Sequence, residues 1–106
     1  MRIGKNKRTT KETKIQAMLN LDGRGDAKIE FPSGFFKHML ESLALWASFD
    51  IELSASGDTW VDLHHVVEDS GIVLGRCAKS AFGDKGGIER AGCAYVPMDE
   101  ALVRVV

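Results

Sequence analysis

Residues 35–55 read FFKHMLESLALWASFDIELSA, and the apolar period changes once inside them. Over residues 35–47, Phe36, Met39, Leu40, Leu43 and Ala44 recur at helical spacing, which predicts an amphipathic helix buried on one side. Over residues 49–55, Phe49, Ile51, Leu53 and Ala55 alternate with polar residues, which predicts a strand with one buried face. A helix followed at once by a half-buried strand points to helices laid on a sheet.

Upstream, KIQAMLNL at residues 14–21 alternates in the same way, with Ile15, Ala17, Leu19 and Leu21 on one face. Asp22-Gly23-Arg24-Gly25 is a turn, residues 26–31 return as a second strand, and Pro32-Ser33-Gly34 breaks it. Downstream, Gly57-Asp58 turns the chain into a short partner strand at 59–62. A second helix is predicted over 63–81, ended by Gly83 and Gly86-Gly87. Strands are expected at 90–96 and from 101 to 106. The order ββαββαββ is an α+β fold, with two helices packed on one face of a mostly antiparallel sheet and residues 1–106 forming a single domain.

Composition narrows the function. The chain has 106 residues, 44% hydrophobic and 27% charged, which suits a globular domain and not a disordered tail. There is no apolar run long enough to span a membrane and no signal peptide, so a cytoplasmic protein is expected. Two cysteines, Cys77 and Cys93, are too few for a disulfide framework. Residues 1–14 hold six Lys or Arg against one Glu. Without aromatic residues among them they read as an edge strand guarded by lysine rather than a nucleic-acid arm, and no nucleic-acid partner is expected. The chain stops inside the apolar run ALVRVV, as a fragment would, or a strand covered by a partner subunit.

The chemistry gathers in Asp62-Leu63-His64-His65-Val66-Val67-Glu68-Asp69. On a helix Glu68 lies one turn from both histidines, whose side chains diverge by about 100°. One ion would take both only awkwardly, so two ions or two chains are the natural arrangement. Imidazole with carboxylate and no thiolate suits Mn, Fe, Co, Ni or Zn and argues against a structural thiolate zinc site. The other reading of these residues is structural, with His64 capping the helix and His65 paired to Glu68 at the surface.

Six motifs in order give the chain a family resemblance. They are Thr10-Lys11-Glu12-Thr13 with Leu21-Asp22-Gly23, Gly34 to Leu40 (GFFKHML), Gly57-Asp58, the HHVVED segment with Gly71-Ile72, Gly87-Ile88-Glu89-Arg90, and Pro97 to Leu102 (PMDEAL). Together they resemble imidazoleglycerol-phosphate dehydratase, a hydro-lyase of histidine biosynthesis, over the N-terminal half of that family's duplicated chain. The resemblance implies metal-dependent dehydration of imidazole glycerol phosphate to imidazole acetol phosphate. It implies His38, His64, His65 and Glu68 as ligands of a two-manganese site, which also engage the substrate. Glu12 would lie at the substrate's polar chain, Glu12 or Glu68 would move the proton, and Arg90 would grip the phosphate. Bound metal would act as Lewis acid and template for loss of hydroxide. The matching second set of ligands would come from another copy of the chain, so a homo-oligomer is expected, a dimer or a larger shell.

Two positions depart from the family pattern. Lys37 stands where the family has an acid beside the histidine, and Trp46 stands where it has a substrate-site histidine, eight residues after the position of His38. Trp46 is expected to pack in a core or an interface. These departures sustain an alternative function: a catalytically inactive metal-binding assembly domain, truncated or engineered.

Overall fold

The computed structural model describes residues 1–106, with strands β1 (Ile3–Thr9), β2 (Thr13–Asn20) and β3 (Ala27–Glu30), helix α1 (Gly34–Ala47), strand β4 (Asp50–Gly57), helix α2 (His64–Phe82) and strands β5 (Ala94–Met98) and β6 (Ala101–Val105). The class is α+β, as expected. The element order is not, and three corrections account for it.

First, the basic N-terminal stretch is the edge strand that its lysines suggested, so the order gains a strand before β2. β1 pairs antiparallel with β2 along its whole length, from Ile3 opposite Asn20 to Thr9 opposite Lys14. Second, residues 26–31 do not fold back on β2. The sheet order is β1-β2-β4-β3, and β3 runs parallel to β4 with Ile29 opposite Leu53. Parallel neighbours need a crossover, and α1 supplies it. The loop that carries the chain past β4 is fastened there, because the Asp50 carboxylate accepts the backbone N–H groups of Arg24 (2.8 Å) and Asp26 (3.1 Å). Third, residues 59–62 form no strand. They are a turn closed by hydrogen bonds from Thr59 N to the Gly57 carbonyl and from Val61 N to the Asp58 carbonyl, with Trp60 and Val61 exposed.

Alternation decides which face of the sheet is covered. Ile15, Ala17 and Leu19 of β2, Ile51, Leu53 and Ala55 of β4 and Ile29 of β3 are all buried on one side. Lys14, Gln16, Lys28, Glu30, Glu52 and Ser54 face outward. α2 lies over β1, β2 and β4 and seats Val66, Val73, Cys77 and Ala81 in the core, while α1 covers β3 and β4. Each fully buried aliphatic side chain contributes about 1.5–3 kcal/mol. β1 approaches α2 so closely that a Cβ on Gly4 would stand 1.9 Å from the Cys77 carbonyl oxygen.

α1 starts at Ser33, whose hydroxyl accepts the Phe36 N–H, and stops at Ser48 in the left-handed region (φ 55°). Its buried stripe is narrower than its spacing suggested: Leu40 and Ala44 are buried and Phe36 packs against the core, whereas Met39 and Leu43 are about half exposed. Trp46 is 86% exposed, so within this chain it packs in no core. The strand expected at 90–96 begins only at Ala94, and β5 and β6 form a separate two-stranded hairpin turned at Asp99 (φ 50°). No helix is long and apolar enough to cross a membrane.

Candidate active site

The chain's acidic and imidazole groups meet where β4 hands over to α2. Asp58, immediately after β4, is 5% exposed, and its N–H donates to the Glu12 carbonyl at 3.0 Å. That bond ties the β1–β2 turn, and Glu12 with it, to the start of α2. The turn has its own internal frame, since the Thr10 hydroxyl accepts the N–H groups of Glu12 (3.1 Å) and Thr13 (3.0 Å). A further brace comes from α2 itself. Buried Asp69 accepts the Thr13 hydroxyl on one oxygen and Arg8 Nε, at 3.0 Å, on the other. One helix residue thereby fixes both strands of the hairpin that presents Glu12.

α2 opens without a side-chain cap on its first turn; instead the Asp62 carboxylate accepts the His64 N–H at 2.7 Å. The two adjacent histidines then take different partners. His64 Nε2 lies 3.2 Å from Glu68 Oε2, both side chains well exposed. His65 turns back toward the strand end, with Nδ1 2.7 Å from Asp58 Oδ2. The structural alternative, with His64 as helix cap and His65 paired to Glu68, is corrected: His64 meets Glu68 and His65 meets Asp58. The rings stand 5.3 Å apart at 77°, divergent as helical geometry requires. The hydrogen bond to Asp58 holds the His65 pKa above its usual value against the opposing effect of burial, helped by the charges of Asp58, Glu12 and Asp62.

The remaining expected residues lie apart. His38 is exposed on α1, whose backbone nowhere comes close to that of α2. Lys37 beside it reaches Glu41 at 3.8 Å, one turn along the same helix. Arg90 is exposed in the irregular segment before β5 and pairs with neither Glu89 nor Asp99. Within one chain no three His, Cys, Asp or Glu side chains gather closely enough to hold an ion. A concavity of about 880 Å³ opens elsewhere, on the uncovered sheet face between Lys7, Gln16, Lys28 and Glu52. It has no imidazole and a flat floor of strand side chains, so it is set aside as a site.

Two contributors were invisible as such in the sequence. Asp58 belongs to a glycine-aspartate pair read as a turn and as part of the family pattern, and Asp69 closes the HHVVED segment, but neither carried an assigned role. A signal existed for Asp69 alone, an acid on the apolar side of α2, one turn from Val66 and Val73, which needs a buried partner.

Comparison with known proteins gives a consistent answer. The family model described as imidazoleglycerol-phosphate dehydratase matches residues 31–106. The chain is 56% identical over 106 residues to the imidazoleglycerol-phosphate dehydratase of Akkermansia muciniphila, covering all of this chain and 54% of that protein. It is 53% identical to the protein of the same name from an Exiguobacterium species, again over the whole chain and 54% of the relative. The crystal structure of imidazoleglycerol-phosphate dehydratase from Staphylococcus aureus superposes with a TM-score of 0.79 at 32% identity, covering 96% of this chain and 54% of that one. The chain thus spans about half the length of the relatives it matches.

Proposed function

The chain belongs to the imidazoleglycerol-phosphate dehydratase family, and from that premise we propose that it carries one half of a metal-dependent site for dehydrating imidazole glycerol phosphate in the cytoplasm. The observation that carries the reading is the convergence of Glu12, Asp58, His64, His65 and Glu68 from three segments at the start of α2.

The donor set fits a first-row divalent ion such as Mn in kind. It offers imidazole and carboxylate, and Asp58 already occupies the far nitrogen of His65. In number it is incomplete, so His38, His64, His65 and Glu68 hold metal together with donors from outside the chain. A second copy supplies them through a symmetric contact, and the apolar side chains that α1 leaves exposed, Phe35, Met39, Leu43 and Trp46, give that contact its area. When bound, the ion supplies Lewis-acid polarisation and a template for the substrate.

The chain's own groups do the rest. A carboxylate, Glu12 or a Glu68 released from the metal, accepts the proton from the substrate carbon and passes it to the departing hydroxyl, which leaves as water. The resulting enol becomes the ketone by moving one further proton. Arg90 neutralises the phosphate, and its lack of an internal ion pair keeps the guanidinium free for that task.

One observation favours a second reading, a metal-held assembly module without turnover: Trp46 stands exposed where the family has a substrate-site histidine. Mn binding and product formation measured on the same sample separate the two. Dehydration that depends on Mn, together with loss of metal uptake in the His64→Ala/His65→Ala double variant, supports the dehydratase. Metal-bound oligomers that form no imidazole acetol phosphate support the module, and a full metal load in the double variant overturns both.

A further inference from the structure

We propose that Asp58 is a positioning residue that fixes the tautomer and direction of His65, keeping the proton on Nδ1 and presenting the Nε2 lone pair outward as a ligand. The inference rests on the metal reading above for its purpose, though not for its geometry.

An ionised carboxylate can only accept hydrogen bonds. The ring nitrogen 2.7 Å from Asp58 Oδ2 therefore carries the hydrogen, and in the neutral imidazole the free lone pair falls on Nε2, which has no partner within the chain. Unrestrained imidazole favours the opposite tautomer, so without Asp58 the ring would carry its proton on the nitrogen needed for an ion.

Asp58 is held as a fixed support rather than a mobile side chain. Its N–H is bonded to the Glu12 carbonyl and its carbonyl to the Val61 N–H, each at 3.0 Å. The carboxylate is only 7% exposed, and its second oxygen, Oδ1, is enclosed with no hydrogen-bond partner at all. A buried carboxylate with one oxygen unsatisfied is a poor device for stability. Its one side-chain partner is His65, and orienting that ring is what the placement achieves. His64 makes the contrast. Its only polar side-chain partner is the exposed Glu68, through Nε2, and no buried carboxylate pairs with its ring.

The test uses the full chain, labelled with ¹⁵N, in metal-free buffer at a pH where the histidines are neutral. Long-range ¹H–¹⁵N correlation should show His65 as the Nδ1–H tautomer, and Asp58→Ala should move it mostly to Nε2–H. Titration with Mn should show the Kd of Asp58→Ala raised about 10–100-fold, the usual loss when the support of a metal-binding histidine is removed. A wild-type His65 found as Nε2–H overturns the proposal, and this spectrum decides the matter even if the variant fails to fold. Wild-type tautomer and Mn affinity in a folded Asp58→Ala overturn it equally. A wild-type chain that holds Nδ1–H yet binds no Mn overturns the metal reading and leaves the tautomer assignment standing.

Discussion

The hairpins β1–β2 and β5–β6 are built by the same rule and meet opposite fates. Each pairs two antiparallel strands around a tight turn, and each carries several apolar side chains. In β2, Ile15 and Ala17 are 1% and 4% exposed because α2 lies on them and β4 continues the sheet. In β5 and β6, Val96, Leu102 and Val103 are all more than half exposed, and the hairpin touches no other element. Backbone pairing is therefore common to both, and the burial of one face is what separates a core from a ribbon. A two-stranded ribbon alone is marginal in water.

The largest test of this contrast is a pair of truncations. Ile51→Ala, at a core position 1% exposed, should cost about 2–5 kcal/mol in urea unfolding, whereas Val103→Ala should stay within about 0.5 kcal/mol. A loss at Val103 that approaches the loss at Ile51 and grows with protein concentration would break the contrast, by showing the ribbon covered in a second chain. A smaller effect is expected from adding a methyl group. Gly4→Ala drives a Cβ into the Cys77 backbone and should cost about 1–3 kcal/mol, while Gly92→Ala meets nothing within 4 Å and should leave the melting temperature unchanged. The gentlest test removes nothing. Cys93 is exposed, so a thiol reagent should modify it within the mixing time. Cys77 is fully buried, its thiol pKa pushed up by that burial and its Sγ directed at the Ala17 carbonyl, so it should react only as the chain unfolds. Equal rates for the two thiols would mean that the helix–sheet core opens freely.

The same contrast explains what was legible in the sequence. β2, β4 and both helices could be read because one face of each is buried, and burial stamps a period on the residues. The expected 63–81 helix is displaced by one residue at each end. β1 is an edge strand, legible from its lysines rather than from a hydrophobic period, since Lys5, Lys7 and Thr9 are exposed and Gly4 with polar residues fills the other face. The place of β3 is a matter of topology: its one buried residue, Ile29, is equally satisfied beside β2 or beside β4. Residues 59–62 mimic a strand because Trp60 and Val61 are apolar, but both are exposed and unpaired in a turn.

At the site, the adjacent histidines and Glu68 could be found by helical spacing, which is short-range geometry. The role of Asp58 could not, because its distance from His65 is set by a turn whose path no local pattern reports. Glu12 reaches the same place through long-range pairing, Thr13 opposite Gly57 across the sheet and its own carbonyl bonded to the Asp58 N–H. Motif spacing along one helix was thus readable, and convergence between segments was not.

The β1-β2-β4-β3 order also dictates a sequence in time. β4 is the inner strand, bonded to β2 on one side and to β3 on the other, yet it is the last of the four to leave a ribosome. Until residue 57 has emerged, β2 presents an open edge and β3 has no partner, whatever α1 has achieved. Closing the sheet is thus an insertion rather than an extension: one strand enters a gap and completes both ladders together. The start of α2 follows within a few residues, so the pocket of acids and imidazoles is the product of the same late event that makes the fold cooperative.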